Sequence, residues 1–239
     1  MCGHVEATPR PRRSIRVLGH TLVALLIAQV VAVLLTVWAK VLETSLLQRV
    51  IDGEQVTQAE ALASDDRVNT AAGFSVLLLV ATGVVWLIWQ YRAQTNLKAF
   101  GATELAYSPA WSVGWWLIPI ANLWKPFQVN RELWKKSGGD DVGPSSSRTW
   151  SVLGWWWGSW ILWIVLSQIS RRSVDAAEDA MALRNANLFF FLSAAALVAS
   201  AVLAMLLVRS VGSRQARLAV VVADRDRPPP TPARPDRSA

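Results

Sequence analysis

Four stretches of this chain, residues 18–37, 71–91, 152–169 and 188–208, are strongly apolar and contain no Asp, Glu, Lys or Arg. Each is close to the roughly 20 helical residues needed to cross the hydrocarbon core of a bilayer. Gln29 and Gln168 stand among their few polar side chains, with scattered Ser and Thr. Backbone groups in such segments must be satisfied within the helix. The pattern predicts an all-α, integral membrane four-helix bundle. A cleavable signal peptide competes for the first stretch, which follows Arg10, Arg12, Arg13 and Arg16. Its apolar run exceeds the usual signal core of about 7–15 residues, which favours an uncleaved anchor.

Between the first two spans, Val41, Leu42, Leu46, Leu47, Val50 and Ile51 recur at helical spacing among Glu43, Gln48, Asp52 and Glu54. This predicts an amphipathic helix in an external loop covering 38–70. Gly53 weakens it, and Ser64-Asp65-Asp66 reads as the N-cap of the helix carrying the second span, which extends toward Gly101. Ser170 to Asn187 reads as a short, solvated external turn.

A fifth apolar run behaves differently. Trp111, Trp115, Trp116, Pro119, Asn122, Trp124 and Pro126 crowd one segment that ends in Lys125, Arg131, Glu132, Trp134, Lys135 and Lys136. Residues 111–123 are too short to cross comfortably. Pro119 and Pro126 cannot donate to the carbonyls of Trp115 and Asn122, and lipid offers those carbonyls no donor. Residues 109–136, introduced by the turn signal Tyr107-Ser108-Pro109, therefore read as an interfacial or re-entrant helical segment on the cytoplasmic side of the bundle. After Pro126, Val129, Leu133 and Trp134 form the apolar side of an amphipathic helix on the inner membrane surface. Residues 71–208 form one membrane domain on this reading. They are flanked by a basic tail at 1–17 and a basic, proline-rich, disordered tail at 209–239, and interrupted by a Gly-, Asp- and Ser-rich linker at 137–147.

Composition supports the membrane reading: 53% of the 239 residues are hydrophobic, mean hydropathy is +0.30, and there are 14 tryptophans. The formal charge of +7 does not point to nucleic acid, because the basic residues lie between and beyond the apolar runs. With four spans and both termini in the cytoplasm, the 24 Lys and Arg divide 18 inside to 6 outside, as the positive-inside rule requires. A fifth span would reduce the best division to 15 and 9. Cys2, His4 and His20 are the only cysteine and histidines, which excludes an intramolecular disulfide, a cysteine-based zinc site and a histidine cluster. No cofactor is expected.

Small residues suggest packing faces. Gly154 and Gly158 open the third span, and Ala196, Ser200 and Ala204 recur every fourth position in the last. Such faces allow close helix approach. Homodimerisation is one use; packing within the chain is simpler, since four helices need internal contacts. Trp160 and Trp163 lie about 15–20 Å along the helix from Trp150, too deep for headgroup anchors, and are expected to meet another helix.

The strings Trp86-Leu-Ile-Trp89-Gln-Tyr91-Arg92-Ala-Gln-Thr-Asn96-Leu97, Ser108-Pro109-Ala-Trp111-Ser-Val-Gly-Trp115-Trp116-Leu-Ile-Pro119-Ile-Ala-Asn122-Leu-Trp124-Lys-Pro126-Phe-Gln and Glu132-Leu133-Trp134 resemble the bacterial domain of unknown function 4328. The resemblance covers roughly 71–208. It implies a multi-span protein of actinobacterial type in a bacterial plasma membrane, and it supplies no activity.

Chemistry is sparse. The spans offer no carboxylate, lysine or arginine. Among Glu104, Glu132, Asp140 and Asp141, Glu132 is placed for an i,i+4 ion pair with Lys136 rather than for catalysis, and Gly138-Gly139 lacks the lysine and spacing of a phosphate-binding loop. An enzyme is not expected. The reading is a non-enzymatic membrane scaffold or regulatory subunit acting at the cytoplasmic face. Lys125, Arg131, Lys135 and Lys136 would meet anionic lipid headgroups, and the C-terminal tail a protein partner. The alternative is a small transporter or channel-like protein using the broken helix around Pro119 and Asn122.

Overall fold

The computed structural model describes residues 15–102, 104–139 and 146–225. The expected N-terminal tail up to residue 14, most of the glycine-rich linker and the proline-rich end from 226 lie outside the described residues. The fold is all-α. Its elements are α1 (Arg16–Ile51), α2 (Gln58–Ala99), α3 (Pro109–Gly114), α4 (Lys125–Trp134), α5 (Ser146–Asp175) and α6 (Ala180–Arg225). The four expected spans lie in α1, α2, α5 and α6, which are long and apolar enough to cross a membrane.

The long helices pack in the order α2, α1, α6, α5. In their apolar windows, 44% of α1 and 50% of α6 is buried, against 11% of α2 and 17% of α5. The first and last spans are therefore the inner pair, and the middle two lie on the outside of the bundle with most of their apolar surface exposed. The start of α1 and the end of α6 lie on one face of the bundle, called here the terminal face. Most of the core clusters toward it, around Leu22, Trp86, Trp89, Leu97, Leu133, Trp156 and Leu207. The other half holds a small cluster of Val33, Ala194 and Leu197, with Trp163 packed on its edge.

Three expected boundaries change. The separate amphipathic helix in 38–70 does not exist, because α1 runs unbroken to Ile51 and keeps one inward stripe through Ala39, Glu43 and Leu47. Lys40 and Glu43 are tolerated there because they pair at 2.7 Å. Asn187 of α6 donates to the same carboxylate oxygen at 3.0 Å and to Thr44 at 3.1 Å. A charge that reads as loop thus becomes a clasp between the inner helices. The second span's helix starts at Thr57, not at Ser64, which lies buried inside α2. Thr57 and Glu60 form a complete capping box, satisfying two end donors reciprocally. Gly53, at φ +81°, makes the preceding turn. Finally, residues 209–225 are helical rather than disordered, with Val211 and Gln215 buried.

Arg49 joins this turn, bonding Glu54 at 2.9 Å and Glu60 at 3.0 Å. Hydrogen bonds from the Thr57 backbone and hydroxyl, then from Arg49, hold the Glu60 carboxyl down to about 2. A depressed carboxyl stabilises the fold above its unfolded value near 4.5, and that contribution is lost as pH falls toward 2. Hydrogen exchange in residues 52–60, corrected for intrinsic rates, is expected to rise across this window. Glu60→Gln should flatten the pH response; an unchanged response would remove Glu60 as its cause.

Candidate functional site

The final turns of the second span carry Trp86, Trp89, Gln90, Ala93, Gln94, Asn96 and Leu97, all buried. These positions form one face of α2. It is turned inward beneath the segment 109–136, and its two fully buried amides set that segment in place. Gln90 accepts from the indoles of Trp86 (2.9 Å) and Trp116 (3.2 Å) and donates to the Ser112 carbonyl (2.8 Å). Gln94, one turn on, donates to the Tyr107 carbonyl (3.1 Å) and to Glu132 (3.0 Å).

Glu132 closes the arrangement. Its carboxylate also accepts the backbone N–H groups of Ala106 (2.5 Å) and Tyr107 (3.3 Å). These bonds join the chain just before α3 to the last turn of α4. A segment crossing the bilayer would separate its ends by roughly 30 Å. Residues 109–136 therefore fold back on themselves as a hairpin and do not form a fifth span.

Ser108 caps α3 and Pro109 occupies its first turn, the position where proline costs nothing. The helix loosens into 3-10 turns at Trp115–Leu117 and Ala121–Leu123 on either side of Pro119. The tip is apolar and open, with Leu117 75% and Ile120 72% exposed. Trp157 of α5 donates its indole N–H to the Leu123 carbonyl at 3.0 Å, so a donor from another helix serves the irregular stretch just before α4. Pro126 does not break a helix as expected, because it lies in the first turn of α4.

Trp116 is the wedge. Its ring lies 6.3 Å from Trp86 of α2 and 6.0 and 6.2 Å from Trp157 and Trp160 of α5, edge-on each time. Trp86 stacks on Trp156 at 5.3 Å. The outer helices α2 and α5 are thus bridged at the terminal face by tryptophan. Trp160 and Trp163 lie 4.8 Å apart on the same helix; each also meets another element, Trp160 the hairpin through Trp116 and Trp163 the cluster of Val33, Ala194 and Leu197 from α1 and α6.

The amphipathic face of α4 is placed differently from expectation. Val129 and Leu133 are fully buried and Trp134 nearly so, so the bundle covers this face instead of lipid. Arg214 of α6 lies 4.1 Å over the Trp134 ring. Gln215 donates to the Ala93 carbonyl at 2.9 Å and to Ser137 at 3.4 Å. Trp111, Trp124, Arg131 and Lys136 are on the outside and Lys135 is half-buried, while Lys125 sits 5.3 Å over Trp115 and 5.7 Å over Tyr107. Asn122 keeps a buried Oδ1 without a hydrogen-bond partner.

Of the small-residue faces, Ala196, Ser200 and Ala204 are buried, serving packing within the chain. Gly154 and Gly158 are not: both are exposed, and a Cβ on either meets nothing within 4 Å. Sequence reasoning passed over Gln90, Gln94, Ser112 and Gln215. The available signal was the repeat of Trp86, Gln90 and Gln94 every fourth residue, which puts indole and amides on one face.

The fold and the hairpin define a membrane protein with four helices long and apolar enough to span and a tryptophan-rich hairpin packed against them. More particularly, the chain belongs to the family described as Domain of unknown function (DUF4328), which matches residues 52–213, about two thirds of its length. The match begins in the turn after α1 and ends within α6. No curated protein and no solved structure matches the chain.

Proposed function

We propose that this protein is a non-enzymatic scaffold or regulatory subunit of the bacterial plasma membrane, acting at the cytoplasmic face. The observation that carries this reading is the direction of the hairpin's polar groups. Glu132, with Gln90 and Gln94 of α2, is taken up in fixing the segment, which leaves an apolar tip, the rings of Trp111 and Trp124, and cations as its outward chemistry. Such a surface suits a rigid platform for headgroups and a protein partner. The 18-to-6 division of Lys and Arg toward the terminal face supports a cytoplasmic location for that face and both termini.

Two measurements test this. Single cysteines at Lys98 and Lys136, in a chain with Cys2 replaced, are expected to react from the cytoplasmic side only; labelling from outside reverses the orientation. Cross-linking in native membranes followed by purification is expected to recover a partner whose yield falls when 226–239 are removed. Recovery of this chain alone, with and without those residues, sinks the scaffold reading.

The unpartnered Asn122 Oδ1 beside the broken helix favours the channel-like alternative. Liposomes containing the protein are expected to retain ions and small solutes. Leakage abolished by Asn122→Leu would establish that alternative instead.

A further inference from the structure

From Trp111 to Trp124 the chain carries no acidic, basic or histidine side chain, and the tip of the hairpin turns this apolar run outward. Leu117 and Ile120 stand out furthest, with Leu123 and Trp124 beside them. A contiguous apolar surface of this kind marks a contact with something else, and the level at which the bundle holds it shows what.

The hairpin runs down α2 in register with it. Tyr107 lies opposite Gln94, Ser112 opposite Gln90, and Trp116 opposite Trp86, so each step toward the tip is a step further into the apolar stretch that ends at residue 91. Trp86 is about 8 Å inside that stretch, and Trp157 and Trp160, which also meet Trp116, are about 8 and 12 Å inside the one that begins at 152, at 1.5 Å per residue. The third stretch cannot be shifted to bring these rings to its edge. Residues 149–170, between Arg148 and Arg171, measure about 33 Å as helix, against a hydrocarbon core of roughly 30 Å.

The backbone of the tip is closed in the way such a depth demands. The carbonyls of Ile118, Ile120, Ala121 and Trp124 accept from the N–H groups of Asn122, Leu123, Trp124 and Gln128, and that of Leu123 from the Trp157 indole. Hydrocarbon offers irregular backbone no other donors. The first cation after the tip, Lys125, reaches back to 5.7 Å from the Tyr107 ring, at the mouth of the hairpin, which keeps its charge away from the apolar level.

We propose that the partner of the tip is the acyl-chain layer of the membrane leaflet on the terminal side, so that the hairpin is inserted in that leaflet and not laid on its surface. Val84 and Ile88 on the exposed side of α2, at the same depth, continue the apolar surface. Lipid is displaced from one leaflet only, and a soluble partner has no access to the tip. The proposal holds whichever side of the membrane the terminal face occupies, and it does not rest on the scaffold reading.

The test is electron paramagnetic resonance of the full chain in liposomes, with Cys2 replaced and a nitroxide on a single cysteine at Leu117, Ile120, Val84 or Lys98. Collision with oxygen, which concentrates among acyl chains, is compared with collision with a water-soluble nickel chelate. Leu117 and Ile120 are expected to match Val84 in favouring oxygen, and Lys98 to favour the chelate. A tip that follows Lys98 lies in water, and a tip shielded from both reagents lies against protein, a second copy included; either result overturns the proposal. Ile120→Asp gives an independent reading, because its side chain is too short to reach the headgroups. Amide exchange across 117–124 in liposomes should rise severalfold in that variant and stay unchanged in Ile120→Leu, with the middle of α1 and α6 still protected as evidence of folding. Exchange that aspartate leaves unchanged also overturns the proposal.

Discussion

Replacing Trp86 with alanine is expected to destabilise the protein by about 3–5 kcal/mol, the usual cost of deleting a buried large aromatic. The ring is nearly fully buried and lies within 5.5 Å of Trp89, stacks on Trp156 and meets Trp116 edge-on. Its loss opens a cavity where α2, α5 and the hairpin converge, and removes one of the two indole donors to Gln90. Trp86→Phe should recover much of the volume but not the hydrogen bond, and fall between the two. Trp111→Ala is the contrast: that ring is 52% exposed and stacks only on its neighbour Trp115, so the loss should stay below about 1 kcal/mol. Unfolding in mixed micelles followed by tryptophan emission distinguishes these values. Equal effects at Trp86 and Trp111 would mean that the ring cluster does not bridge the outer helices.

The second large effect is expected at Glu132. Alanine there removes the acceptor for Gln94 and for the N–H groups of Ala106 and Tyr107. Bonds to a charged acceptor each contribute about 1.5–3 kcal/mol, and the fully buried Gln94 amide, left with only the Tyr107 carbonyl, adds a penalty for its lost acceptor. Because two of the donors retain access to water, a net loss of about 3 kcal/mol is the expected figure. Glutamine is no rescue, since its NH2 group faces a donor whichever way it turns. Hydrogen exchange should show the release locally, with faster exchange across 104–136 while the middle of α1 and α6 stays protected. A double-mutant cycle with Gln94→Ala should give a coupling of about 0.5–3 kcal/mol; additive effects would dissociate the two residues.

The contrast between what the sequence revealed and what it hid follows from the range of the interactions. Apolar length alone identified the four spans, and Pro119 and Pro109 identified the break and the start of the hairpin, because both signals act within a few residues. The run of α1 through Lys40 and Glu43 was hidden because their compensating partner, Asn187, is 144 residues from Glu43. The start of α2 is written in Thr57-x-x-Glu60, the spacing of a capping box, whereas Ser64-Asp65-Asp66, expected as the cap, lies inside the helix. For α4 the period was right and the partner wrong, since amphipathicity says that a face is covered without saying what covers it. Gln90 and Gln94 escaped for a related reason. An amide near the end of a span reads as a polar boundary until the carbonyls it meets, those of Ser112 and Tyr107, are brought beside it.

The donor to Leu123 has a consequence for how the chain is made. Trp157 lies 34 residues downstream of the carbonyl it satisfies, whereas Gln90 and Gln94 precede the hairpin. During synthesis the mouth of the hairpin can close on α2 as soon as Glu132 has emerged, but its tip has no indole to receive it until the third span arrives. Emergence of the chain therefore sets an order, mouth first and tip last, and a chain that has emerged only as far as residues 136–150 has a tip with no Trp157 to meet.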